Sequence, residues 1–195
     1  MGCLGHRRTM RVLAISGSLR AQSTNTTLLR AVAMVAPRGI EVELFEEIDR
    51  IPPFNPDLEE RYAAGAVGGF REAIRGHDVV VFSTPEYAHG IPGALKNALD
   101  WIVGSGELSG KPVALMHASA RGVYAVAALK EVLTTMDARL VHEAEVTVPL
   151  LGKEMTAEAI AQTPEFAERL SASLEKLAES CDGRGAQLQG SQAGA

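Results

Sequence analysis

The sequence predicts an α/β fold: a doubly wound parallel sheet of five strands with helices on both faces. Two observations lead there. Five short apolar runs alternate with segments whose apolar residues recur at helical spacing. One of those runs, residues 78–83 (DVVVFS), has an unbroken apolar interior, as a strand buried on both faces requires. In such sheets ligands bind beyond the carboxyl ends of the strands, where the strand order reverses. The loops after the first, third and fourth strands are therefore the ones to inspect.

The elements follow in order. Residues 11–16 (RVLAIS) form the first strand, and residues 26–36 a helix that Ser23, Thr24 or Asn25 can cap. Residues 41–45 alternate as the second strand. The proline-rich stretch 51–57 (IPPFNPD) is a loop. A helix is expected over 58–75, although Gly65, Gly68 and Gly69 weaken it. The third strand at 78–83 leads to a helix over 92–103. Pro92 sits in its first turn, where a missing N–H costs nothing. Residues 112–117 form the fourth strand, 123–136 a helix and 140–148 the fifth strand. A long amphipathic helix spans 156–180, with a break near Pro164. Residues 1–10 read as an extension with Met10 as a second candidate start, and 182–195 as an aperiodic, disordered tail. The domain is then residues 11–181.

Composition narrows the function. The chain has 195 residues, 46% of them hydrophobic, enough for one domain with a substantial core. Its net charge of −5 disfavours nucleic acid as a partner. No apolar run reaches the ~18 residues of a membrane span. The first ten residues lack the apolar stretch of a secretory signal, and His6 stands where a myristoylation motif wants Ser or Thr. Cys3 and Cys181 make no disulfide framework. A cytoplasmic protein is the expectation. No pair of histidines or carboxylates has metal-ligand spacing, so no metal is expected.

The first loop, residues 17–25 (GSLRAQSTN), runs from strand to helix. Ser18, Ser23, Thr24 and Asn25 supply polar side chains, Arg20 a guanidinium fork, and the helix start free N–H groups with a positive dipole end. A cap alone needs one such residue, so the set points to a phosphate. Only Gly17 is present of a dinucleotide fingerprint, and the Gly-Lys-Ser/Thr of a P-loop is absent. Nor is there a G-x-S-x-G nucleophile elbow here. Glu46 without those glycines reads as a solvated loop residue. A terminal monophosphate fits best. The loop after the third strand, residues 84–101, is stiffened by Pro85, Pro92 and Gly90, a geometry that aims backbone groups at a flat heterocycle with Tyr87 at one edge. Trp101 reads as core, and Lys96 with Asp100 as a solvated or intersubunit ion pair.

Together, GSLRxxSxN and PEYxxxxPGxLKNAxDW resemble the NADPH-dependent FMN reductase family, which includes quinone, azo-dye and chromate reductases. The similarity extends through IPPFNPD and SGKPVALMHAS, from about residue 11 to 180. The resemblance implies a flavodoxin-like sheet of order 2-1-3-4-5 with non-covalent FMN. It implies that Ser18, Arg20, Ser23, Asn25 and Thr26 hold the phosphate. Pro85, Glu86, Tyr87 and Ala88 would line the isoalloxazine, largely through the backbone. His117, Ser119 and Gly122, in the loop after the fourth strand, would face its pyrimidine side. Two positions depart from the family pattern. Ala88 stands where members often have Asn, and Val123, Tyr124 and Ala125 follow Gly122 where members are richer in glycine. His89 reads as a solvated or space-filling side chain.

The resemblance further implies hydride transfer from NADPH or NADH to the flavin and on to a small-molecule acceptor: a quinone, azo compound, chromate or free flavin. Donor and acceptor share one flavin face, so ping-pong kinetics are expected, with no catalytic acid or base from the protein. A homodimer or homotetramer is expected. Two other readings are an FMN-binding electron carrier with a protein partner, which the PEY…LDW segment disfavours, and a flavin-free regulatory module, which a colourless protein would support.

Overall fold

A computed structural model of the chain describes residues 8–150 and 152–190, with side chains described through residue 181. Strands β1 (Met10–Ser16), β2 (Ile40–Phe45), β3 (Val79–Ser83), β4 (Pro112–His117) and β5 (Arg139–Leu140) form one parallel sheet in the order β2-β1-β3-β4-β5. This is the flavodoxin-like order, and its switch point lies between β1 and β3. Helices α1 (Thr24–Met34), α2 (Gly65–Gly76), α3 (Gly93–Asp100) and α4 (Val123–Thr135) make the connections.

The period-two alternation of each strand divides the core in two. Val12 and Ala14 of β1, with Val79, Val81, Ala114 and Met116, face Leu28, Leu29 and Val32 of α1 and Leu170, Leu174 and Leu177 of the C-terminal helix. Leu13 and Ile15, with Val80, Phe82, Val113 and Leu115, face Phe70 and Ile74 of α2, Leu95 and Leu99 of α3, and Leu129 and Leu133 of α4.

Four elements depart from expectation. Helix α1 starts at Thr24 because Ser23 is its cap: the Ser23 Oγ accepts from the Thr26 N–H at 3.2 Å. The helix expected over 58–75 is confined to α2, preceded by a single 3-10 turn at Pro56–Leu58. Gly65 takes φ +69, a left-handed conformation that ends any helix running in from the preceding residues. The fifth strand is split into β5 and β6 (Val146–Thr147) by a 3-10 turn at His142–Ala144. Both pieces pair with β4, at Val113↔Leu140 and Met116↔Val146. The buried Ala144 carbonyl accepts the Ser173 hydroxyl, which fixes the excursion against the C-terminal helix.

The C-terminal segment forms α5 (Ala157–Gln162), capped by Thr156, and α6 (Pro164–Gly190). Pro164 drives Thr163 out of helical conformation, to ψ 110, and gives the expected break. Helix α6 continues past Asp182 to Gly190, where the sequence predicts an aperiodic tail. Residues 191–195 of that tail, and 1–7 of the N-terminal extension, lie outside the described residues. No helix among the described residues is long and apolar enough to cross a membrane.

Candidate functional site

The loop from β1 to α1 is built on Ser16, whose Oγ accepts from the Ser18 N–H at 3.2 Å and the Thr26 Oγ1–H at 2.8 Å. Above it, Ser18 Oγ accepts the Arg20 N–H at 3.4 Å, and Ser23 Oγ accepts the Thr26 N–H. Asn25 Oδ1 accepts the Ser83 hydroxyl at 3.0 Å. Each of these three side chains thus spends acceptor capacity on an internal bond and keeps its own hydrogens to offer. Arg20 is exposed and, among the described residues, has no acidic partner. The outcome is a loop of donors at a helix N-terminus, the chemistry that binds an anion.

The second loop lies against the first. The Gly17 N–H extends the ladder to the Ser83 carbonyl at 2.8 Å, and Gly17 touches Thr84 so closely that a Cβ would sit 2.5 Å from Thr84 Oγ1. Tyr87 and Gly90 exchange both backbone hydrogen bonds, at 3.2 and 3.0 Å, around a two-residue turn. Its central residues, Ala88 and His89, have φ of 49° and 60°, as such a primed turn demands. The His89 ring stacks on Tyr124 with centroids 4.3 Å apart. Asn97 and Trp101 of the PGALKNALDW segment face away from the loop: the Asn97 Oδ1 accepts from the Phe54 N–H at 2.7 Å, and the buried Trp101 indole donates to the Pro52 carbonyl at 2.7 Å. They fasten the 51–57 loop. Lys96 pairs with Asp100 at 2.5 Å within the chain.

The third loop leads from β4 into α4. Gly122 caps that helix without a side chain, and Glu86 supplies the cap instead. Its Oε2 accepts the Tyr124 and Ala125 N–H groups at 2.8 and 2.9 Å. The Glu86 side chain thus ties the second loop to the third. Ser119 Oγ accepts the Arg121 N–H at 3.0 Å. His117 Nε2 lies 3.9 Å from Glu145 Oε2, and burial, with Lys130 adding to it, pushes His117 below the ordinary imidazole range despite that carboxylate. Burial would raise Glu145, but hydrogen bonds from Lys130 at 2.8 Å and His142 at 3.0 Å outweigh it and hold the carboxyl below the usual range.

The three loops enclose one cavity of about 550 Å³ beyond the carboxyl ends of β1, β3 and β4. Of the sequence-predicted site residues, Ser18, Arg20, Ser23, Asn25, Pro85, Glu86, Tyr87, His117, Ser119 and Gly122 line it. Thr26 and Ala88 do not. Thr26 turns its hydroxyl to Ser16 and borders a neighbouring cavity of about 290 Å³; Ala88 serves the turn. The wall also includes Thr24, Ala118 and Arg121, from the first and third loops that the sequence analysis singles out, and Thr84, Val123 and Val126, which it does not assign to the site. Val123 and Val126 stand one and four places past Gly122, so helical spacing marks them. A larger hollow of about 630 Å³ at the opposite end of the sheet, beside Arg75, His77 and Glu107, gathers none of these loops. Among the described residues, no group of three or more His, Cys, Asp or Glu side chains is placed to hold a metal.

A family model described as NADPH-dependent FMN reductase matches residues 10–151. The chain belongs to the NADPH-dependent FMN reductase family. An NAD(P)H-dependent FMN reductase of Pseudomonas aeruginosa is 40% identical over 148 residues, covering 71% of this chain and 77% of that protein. A quinone reductase of Escherichia coli K12 is 36% identical over 143 residues, covering 70% and 76%. In structure, FerB from Paracoccus denitrificans, a flavoenzyme NAD(P)H:(acceptor) oxidoreductase, superposes with a TM-score of 0.78 at 26% identity, covering 89% of this chain and 98% of that one. As an FMN reductase family member the chain is an oxidoreductase with FMN as cofactor and NAD(P)H as co-substrate. The residues present fit that cofactor: a donor-rich loop for a phosphate opens on a cavity in the usual size range of ligand sites, beside a rigid loop able to flank a planar ring.

Proposed function

We propose that this FMN reductase family member passes hydride equivalents from NADPH or NADH through FMN to small electrophilic acceptors, quinones above all. The observation that carries the reading is the donor-rich β1–α1 loop opening on the same cavity as the rigid turn at Tyr87–Gly90. FMN, when bound, supplies hydride acceptance and return; the protein supplies position and electrostatics. Ser18, Arg20 and Ser23, with the Asn25 amide, hold the monophosphate. Thr26 supports them through Ser16. Pro85 and Tyr87 flank the ring, and the 117–122 loop, set by Glu86, borders its pyrimidine side. The visible spectrum of the purified protein, followed by NADPH addition without air in the same cuvette, tests this. A yellow protein that bleaches is expected; a colourless protein unable to take up FMN sinks the reading.

With one mononucleotide cavity and no second nucleotide fingerprint, donor and acceptor take turns at the same place. Double-reciprocal plots against menadione should be parallel lines; intersecting lines would mean both bind together. Azo compounds, chromate and free flavin are further acceptors this open site admits. Tyr87, Val123 and Tyr124 leave an exposed apolar rim on the cavity, 49%, 62% and 55% accessible. A second copy of the chain covering that rim accords with the homodimer or homotetramer we propose, and sedimentation showing only monomer at micromolar concentration would refute it. The proposed place of action is the cytoplasm.

A further inference from the structure

We propose that His117 is the proton-holding residue of the flavin cavity: its imidazole takes up a proton from solvent when electrons enter the site and hands it to the acceptor when they leave, with Glu145 as its counter-charge. This rests on the FMN reading above.

His117 ends β4 on the α4 side of the sheet. Its side chain is 15% exposed and forms part of the cavity wall. Glu145, 3.9 Å from its Nε2, is the hub of a short polar chain: Lys130 bonds it at 2.8 Å and His142 at 3.0 Å. The His142 side chain is 63% exposed, so the chain runs from bulk water to the cavity wall. The groups around His117 set its resting state. Glu145, from the turn before β6, favours a charged imidazole. Burial opposes it, as does Lys130 from α4. The same cavity wall includes Arg20 and Arg121, with Glu86 turned onto the α4 N-terminus. The balance leaves His117 neutral while the site is electron-poor.

Hydride arrival changes that balance, because it brings one negative charge into the cavity that His117 lines. An imidazole in the wall then gains by protonation, with a carboxylate already behind it. The atoms close. The reduced nicotinamide gives up a hydride and leaves as the oxidised form, and solvent gives one proton to His117. The quinone takes the hydride's electron pair and gains two O–H bonds. One of those protons is the hydride's own hydrogen; the other comes from His117, whose imidazolium N–H bond breaks as the O–H bond forms. The sum is NAD(P)H, H⁺ and quinone to NAD(P)⁺ and hydroquinone.

The test is the midpoint potential of the holoprotein against pH, for wild type and His117→Gln. Between the two pKa values of His117, one extra proton follows each electron pair. That is a tenfold change in equilibrium per pH unit, or about 30 mV for a two-electron couple. Wild type should show this extra slope and His117→Gln should lack it. In wild type, the His117 ring-proton resonance, assigned by its loss in His117→Gln, should titrate at least one pH unit higher after dithionite reduction than before. Glu145→Gln should lower that titration in both states. Equal slopes in wild type and variant, or a resonance whose titration ignores reduction, would overturn the proposal while leaving an FMN-binding, NADPH-bleachable protein intact. A protein that takes up no FMN would instead overturn the reading beneath it, and this proposal with it.

Discussion

An added methyl at Gly17 would meet Thr84 Oγ1 at 2.5 Å, Thr84 Cβ at 3.0 Å and Leu95 Cδ2 at 3.1 Å, so at least the Thr84 side chain must shift. The two cofactor-facing loops approach each other only because this side chain is absent. Gly17→Ala should therefore destabilise the fold by about 1–3 kcal/mol, the usual cost of overpacking, and loosen the cavity; an unchanged Tm would refute it. Arg20 works differently. A charge-assisted bond of its kind contributes about 1.5–3 kcal/mol, whereas the α1 dipole supplies ~0.3–1 kcal/mol and cannot replace it. Arg20→Ala should weaken FMN binding roughly 10- to 100-fold by fluorescence titration and purify pale. Arg20→Lys should recover part of the affinity, since an ammonium lacks the forked contact. The places of Ser18, Arg20 and Ser23 in the β1–α1 loop are legible in sequence because their bonds stay within or next to it. Glu86 is not: its partners, the Tyr124 and Ala125 amides, lie 38 and 39 residues away. The left-handed Ala88 and His89 are equally hidden, since the turn lacks the Gly or Asn that usually marks it.

At the scale of elements, α4 depends on a carboxylate from another loop. Removing a cap of this type costs about 0.5–2 kcal/mol, so Glu86→Ala should lower Tm and speed hydrogen exchange at the Tyr124 and Ala125 amides. Glu86→Gln, which keeps an acceptor oxygen, should do less of both. If FMN affinity follows the same order, the tie between the loops is what shapes the cavity. Most elements could be read from the sequence because each strand is a short apolar run and each helix keeps its period. The exceptions have local causes. Residues 140–148 alternate like a strand, yet the pattern cannot show that Ala144 is pinned by the Ser173 hydroxyl and forced out of the sheet for one turn. Composition flags Gly65, but only the backbone shows it turning left-handed and cutting the expected helix short.

For the molecule as a whole, the two depressed ionisations that lie partly buried, His117 and Glu145, contribute to the response to acid. His117 and Glu145 both bind protons less readily folded than unfolded. Their contribution to stability is present above the unfolded values, ~6.5 for imidazole and ~4.3 for carboxyl, and is lost as pH falls through the folded ones. Denaturant midpoints of the FMN-free protein should thus fall between pH 8 and pH 5, and His117→Gln should flatten the first part of that decline. A midpoint independent of pH over that range would contradict the burial of His117. FMN at 100 times its Kd should raise stability by about 2.7 kcal/mol through mass action alone.

The split of the fifth strand has a consequence at the sheet's margins. An open parallel sheet offers two rows of unpaired backbone groups, and a long flat edge invites another chain to add itself. Here one margin is only β5 and β6, two residues each with a helical turn between them. The other is β2, where Glu41 and Glu43 stand exposed on alternate positions. One margin is too short to template a neighbour, and the other carries exposed charged side chains, Glu41 and Glu43, the latter beside Arg11 and His77. Both margins disfavour prolonging the sheet with a second copy, which leaves helix faces and loop rims as the surfaces for self-association and lowers the tendency to form fibres.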